Sequence, residues 1–120
     1  FKKKGEVKCR DLERKITLNL LNKKRCVISL GGGAYINKTI RKVANKKCNT
    51  IWLNWNSKTI IDRINKKKNK RPVASSLGDN ELKNLLINRS KFYSKAKYKI
   101  NCENMEKTEI TNKIIEMLYL

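Results

Sequence analysis

The chain has no histidine, a single proline and few aromatics (two Trp, four Tyr, two Phe) among 120 residues. Its four cysteines, Cys9, Cys26, Cys48 and Cys102, stand far apart with no C-x-x-C pair. Together these absences exclude the usual ligand spacing of a zinc site. They also argue against a disulfide framework, so reduced thiols in a cytoplasm are expected. The aromatics are not interleaved with Lys or Arg at alternating positions, so the stacking platforms of single-strand nucleic-acid binders are missing. No signal-peptide core and no apolar run long enough to span a bilayer is present, so no membrane partner is expected. There is no initiator Met; the chain opens on Phe1-Lys2-Lys3-Lys4 and reads as a soluble fragment whose start lies upstream. Acidic residues are scarce too, ten against thirty Lys and Arg, for a formal charge of +20. Such a charge attracts any polyanion. The lysines, however, are spread over almost every segment and travel with Asn and Ile, as AT-biased coding produces. No specific nucleic-acid partner follows from them.

What is present is a 39% apolar content, enough for one small core over residues 1–120. Val7, Leu12, Ile16 and Leu20 fall at helical spacing, and a polar stretch, Asn22 to Arg25, follows. The nearly continuous apolar run Cys26 to Leu30 predicts a strand buried on both faces, ending in Gly31-Gly32-Gly33. Thr50 to Leu53 repeats that pattern after a helical connection from Asn37 to about Ala44, which predicts a parallel βαβ unit. Ser57 is positioned to cap a helix through Ile60, Ile61 and Ile64, which dissolves into the basic run Lys66 to Arg71. Pro72 and Gly78 bracket a loop. Asp79 or Asn80 then caps a helix carrying Leu82, Leu85, Leu86, Arg89 and Phe92 on one stripe. A strand around Tyr98 to Cys102 and a last helix with Ile110, Ile114 and Leu118 complete an α/β layered domain. Three strands are few for a parallel sheet covered on both faces, so at least one further βαβ unit is expected before Phe1.

Several residues carry chemistry. Arg89 lies within an apolar stripe, where a guanidinium wants an anion; an arginine snorkelling from the edge of the stripe, or paired with a carboxylate of the same fold, is the alternative. Arg10 and Glu13 are three apart on one helix face, so the carboxylate can aim the guanidinium at a carboxylate or phosphate; an ordinary surface ion pair is the alternative. The glycine run Gly31-Gly32-Gly33 sits at the end of an apolar strand, where ligands bind in open α/β sheets and where backbone N–H groups can come close. Gly32 to Thr39 also matches the phosphate loop G-x-x-x-x-G-K-[ST], except that Asn37 replaces the second glycine. Arg71, in a loop, is placed to close over a polyphosphate.

In order and spacing, Gly5-Glu6, Arg10-x-x-Glu13, Leu30-Gly31-Gly32-Gly33-Ala34, Arg71-Pro72 and Arg89-x-x-x-Tyr93-x-x-Ala96 resemble the shikimate kinase family. The resemblance implies a three-layer, P-loop kinase-like parallel sheet flanked by helices, with N-terminal strands missing and a lid at about residues 66–80. It implies ATP and Mg²⁺ as cofactors, shikimate and ATP as the small-molecule partners, a cytoplasmic monomer, and transfer of the ATP γ-phosphoryl to the 3-hydroxyl of shikimate on the way to chorismate and the aromatic amino acids. Arg10 and Arg89 would grip the shikimate carboxylate, Glu13 would orient Arg10 or meet a substrate hydroxyl, and Gly31, Gly32 and Gly33 would line the substrate. Arg71 would be the lid arginine, and Arg63 a weaker candidate near the nucleotide base. Two departures stand out: Cys9 replaces the family's Phe, and Val73 its Leu after Arg-Pro. The family's Walker A lysine, Mg²⁺-binding hydroxyl and substrate-orienting Asp all precede Phe1, so this chain alone is expected to be inactive, with no metal ligand of its own. Another small-molecule P-loop kinase and a basic nucleic-acid-binding module remain the alternatives.

Overall fold

A computed structural model describes residues 3–67 and 78–119. Residues 68–77 of the expected lid, Arg71 among them, lie outside these residues. The chain builds α1 (Lys3–Leu21), a single 3-10 turn (Ala34–Ile36), α2 (Lys38–Lys47), β1 (Ile51–Asn54), α3 (Ser57–Lys66), α4 (Asp79–Tyr93), β2 (Tyr98–Asn101) and α5 (Lys107–Tyr119). Strands β1 and β2 pair in parallel, with Ile51 opposite Tyr98 and Asn54 opposite Asn101.

Because side chains alternate across a strand, the sheet offers two different faces. Ile51 and Ile100 point to one of them and pack with Cys102, Ile110, Ile114 and Met117 beneath α5. Trp52 points to the other, where its ring lies 6.1 Å from that of Tyr93 on α4. Helices on both faces of a parallel pair give the α/β layering that the sequence predicts. A second core joins Leu21 of α1, Ala34, Tyr35, and Ile40 and Ala44 of α2. Leu82 is fully buried on α4. Replacing Leu82 by alanine should cost about 2–5 kcal/mol of stability, the usual penalty of a cavity left by a truncated leucine, as denaturant unfolding would measure.

Asn45 fastens the region around the glycine run. Its carboxamide oxygen accepts from the Tyr35 hydroxyl (2.8 Å) and from Thr50 Oγ1 (2.7 Å), while its nitrogen donates to the Lys95 carbonyl (3.0 Å). One side chain thus ties the 3-10 turn, α2, the start of β1 and the end of α4 together.

Three expectations are corrected. The Cys26 to Leu30 segment forms no strand and has no ladder partner among the described residues. Ile28 and Leu30 pack on the core while Val27 is wholly exposed, so it is covered on one side only. An apolar run reports burial tendency, whereas a strand also needs a neighbour for its backbone groups; β1 finds that neighbour in β2. The stripe Val7, Leu12 and Ile16 of α1 faces outward, at 69%, 59% and 51% exposure. The helix turns Thr17 and Leu21 inward instead. Helix α3 is capped by Asn56, whose Oδ1 accepts from the Thr59 N–H at 3.1 Å, and Ser57 is its first helical residue. Helix α4 starts after Gly78 with no side-chain cap, Asp79 and Glu81 lying instead in its first turn, where acidic groups complement the helix dipole.

Candidate functional site

Residues Arg10, Glu13, Thr17 and Leu21 recur every three or four positions and therefore share one face of α1. The inner end of that face is anchored in the core, and its outer end carries charge. Arg10 donates from Nη1 to Glu13 Oε1 at 2.9 Å, with the two side chains 44% and 32% exposed. An ion pair so open to water adds at most about 1 kcal/mol to stability. Its main effect is to fix the direction of the guanidinium.

Helix α4 presents Arg89 and, one turn on, Tyr93. The Arg89 Nε is buried and has no hydrogen-bond partner among the described residues. A buried donor left unsatisfied is costly to the fold alone, although Arg89 as a whole is only half-buried. The Tyr93 hydroxyl donates to the Gly32 carbonyl, joining α4 to the glycine run across 61 residues of sequence. Burial pushes the Tyr93 hydroxyl pKa up, and the neighbouring Arg89 guanidinium works against that rise.

The glycine run is where these groups meet. A Cβ at Gly33 would stand 2.7 Å from both Cζ and Nη2 of Arg10. One at Gly32 would stand 2.6 Å from Arg89 Nη1 and 3.6 Å from the Tyr93 hydroxyl, and one at Gly31 would stand 3.2 Å from Glu13 Oε2. Three consecutive positions therefore give room to three different side chains, two of them guanidiniums. None of the described glycines has a positive φ. The run is glycine for space beside its neighbours rather than for an unusual backbone conformation. The sequence reading assigned these glycines to backbone contact with a ligand and did not foresee that they seat Glu13, Arg89 and Arg10.

The near-match to a phosphate loop is also resolved. Asn37 is the N-cap of α2, and its Oδ1 accepts from the N–H groups of Thr39 (2.9 Å) and Ile40 (3.1 Å). That carboxamide takes the helix N-terminal donors a phosphate would need. Lys38 and Thr39 are exposed.

Arg63 is not brought to the glycine run. Its guanidinium lies 4.9 Å from the centre of the Trp55 ring. Both line a cavity of about 860 Å³ between α3 and α5, walled by Ile60, Met105 and Ile114. Beside it, Glu103 accepts from the Thr59 hydroxyl (2.6 Å) and the Asn56 N–H (3.1 Å), clipping the loop after β2 to the loop after β1. The Thr59 hydroxyl, then the Asn56 N–H, hold the Glu103 carboxyl below its ordinary range. A depressed folded-state pKa contributes stability above the unfolded value, about 4.3, and that contribution is lost as pH falls through the lower folded value. Glu103→Gln should therefore flatten the acid limb of a stability profile below about pH 4, as thermal melts across that range would show. Arg71 falls outside the described residues.

A parallel α/β layer with two guanidiniums around a glycine turn is an arrangement chemically able to receive a small organic anion. Comparison with known proteins makes this specific. The family model described as shikimate kinase matches residues 1–119. A shikimate kinase of Bartonella henselae is 34% identical over 116 residues, covering 96% of this chain and 55% of that protein. One of Brucella canis is 30% identical over 118 residues, covering 98% of this chain and 59% of that protein. The crystal structure of shikimate kinase from Bacteroides thetaiotaomicron superposes with a TM-score of 0.78 at 27% identity, covering 97% of this chain and 70% of that one. The chain belongs to the shikimate kinase family. It spans a little over half the length of the curated relatives it matches.

Proposed function

We propose that this chain carries the shikimate-binding part of an ATP-dependent shikimate kinase, which phosphorylates the substrate 3-hydroxyl in the route to chorismate. The observation that carries this reading is the meeting of Arg10 and Arg89 at adjacent glycines of one turn. Paired guanidiniums suit the planar, bidentate carboxylate of a small hydroxy acid. Glu13 fixes the direction of Arg10, and the unpartnered Nε of Arg89 supplies a donor already stripped of water. Such preset charge lowers the cost of orienting a substrate for phosphoryl transfer.

ATP, when bound, supplies the transferred phosphoryl group. Within this chain, Arg63, beside Trp55 at the cavity between α3 and α5, is assigned to the nucleotide base, and Arg71 to the transferred phosphate. The described residues hold no group of three or more His, Cys, Asp or Glu able to bind a metal ion. The Mg²⁺ ligands are assigned to the part of the relatives that this chain does not match. No described helix is long and apolar enough to cross a membrane; a cytoplasmic monomer completes the proposal.

The basic-module alternative has less support, because three of the aromatic rings already carry a cation of this chain on one face. Trp55 carries Arg63, Trp52 carries Lys99 at 5.1 Å, and Phe92 carries Arg41 at 5.2 Å. Calorimetric titration of the chain with shikimate is the direct test. We expect saturable binding with a Kd between about 10 μM and 1 mM, the range of ordinary enzyme substrates, and no phosphoryl transfer by this chain alone. No heat of binding at several millimolar shikimate would overturn the reading.

A further inference from the structure

We infer that Tyr93 is a positioning residue of this site: its hydroxyl holds the Gly32 carbonyl and so fixes the peptide plane against which Arg89 and Arg10 are seated. The inference rests on the shikimate-site reading but names a residue to which that reading gives no role. Three consecutive glycines form the least constrained stretch a backbone can have, and little else secures this one. The Ala34 N–H donates to the Gly31 carbonyl at 3.1 Å, which closes the turn. The Gly32 and Gly33 N–H groups take part in no hydrogen bond among the described residues. The Tyr93 hydroxyl is thus the contact that reaches the middle of the run from another element.

The peptide between Gly32 and Gly33 is planar, so holding the Gly32 carbonyl also sets the direction of the Gly33 N–H. The positions beside that plane are those that the Arg89 and Arg10 guanidiniums approach most closely. Tyr93 is itself well held. Its ring packs on the core with Ala96 and lies tilted by 54° against Trp52. It also stands one helical turn from Arg89, so a single segment of α4 places both the anion-seeking group and the group that fixes its surroundings.

The test is Tyr93→Phe in this chain, which removes one oxygen and keeps the ring packing. NMR would follow the Gly32 carbonyl shift and the exchange rates of the Ala34 amide and of the Ile110 and Ile114 amides in α5; calorimetry would follow shikimate affinity. Loss of one neutral hydrogen bond corresponds to roughly a 3- to 10-fold effect. We expect the carbonyl shift to move, Ala34 exchange to quicken by about that factor, affinity to fall by about that factor, and α5 exchange to stay unchanged. An unmoved carbonyl shift, an equal quickening in α5, or an unchanged affinity beside a loosened turn would each overturn the inference. If the wild-type chain fails to bind shikimate, the functional reading falls instead, while the carbonyl shift and Ala34 exchange still decide whether Tyr93 holds the turn.

Discussion

Replacing Arg89 by methionine should make the chain more stable and, at the same time, nearly blind to shikimate. The side chain is long enough to fill the space that the arginine stem leaves, and it brings no unsatisfied donor into the stripe of α4. The buried Nε without a partner is the source of the expected gain. Unsatisfied buried donors cost about 1–3 kcal/mol, so denaturant unfolding should report a gain of about 1 kcal/mol. Removal of one partner from a buried, hydrogen-bonded charge pair costs about 2–5 kcal/mol of binding, so affinity should drop roughly 100-fold or more. Arg89→Lys keeps the charge but not the fork, and should fall between the two. If Arg89→Met bound shikimate as tightly as the wild type, Arg89 would have no part in the site.

The second large effect concerns the glycines, where the expected outcomes separate stability from binding. The head of Arg10 is the far end of a flexible, partly exposed side chain, so it can swing aside from a new methyl at position 33. Gly33→Ala should therefore melt close to the wild type yet lose about 10- to 100-fold in affinity, the cost of misplacing one charge-assisted contact. Arg89 is held within a packed stripe and cannot yield as readily, so Gly32→Ala should lose both stability and binding. Gly31→Ala meets a carboxylate oxygen at 3.2 Å and should be the mildest of the three. Melting curves and calorimetric titrations of the three variants would establish the order. In an Arg10→Ala background, Gly33→Ala should cost little more, because residues in contact do not act additively. Full additivity would contradict the contact.

Much of this site was legible in the sequence, for identifiable reasons. Arg10 and Glu13 declare themselves by helical spacing, and Arg89 by standing among leucines, because charge in an apolar stripe is conspicuous in one dimension. Three glycines in a row are equally conspicuous, although their purpose was not. Whether a glycine serves its own backbone or a neighbour's bulk depends on side chains about 20 and 60 residues away, which no local pattern encodes. Tyr93 was visible only as a motif position, since its partner is a distant carbonyl. On α1, apolar spacing tells which residues share a helix face, not which face meets the core: Val7, Leu12 and Ile16 face outward, while polar Thr17 is buried together with Leu21. Cys26 to Leu30 failed as a strand for a related reason, as pairing needs a second segment that its own composition does not name. The caps fall at Asn56 and Gly78, one or two residues before the expected positions, the ordinary uncertainty of helix boundaries.

The way each glycine is matched to one arm of the site also limits how this sequence can drift. Volume at position 33 and length at position 10 behave as a single trait. A relative that acquires a side chain at the first displaces the head of the second, and so weakens a cationic anchor unless both positions change together. A change at either position alone therefore costs affinity even though neither residue holds the fold together.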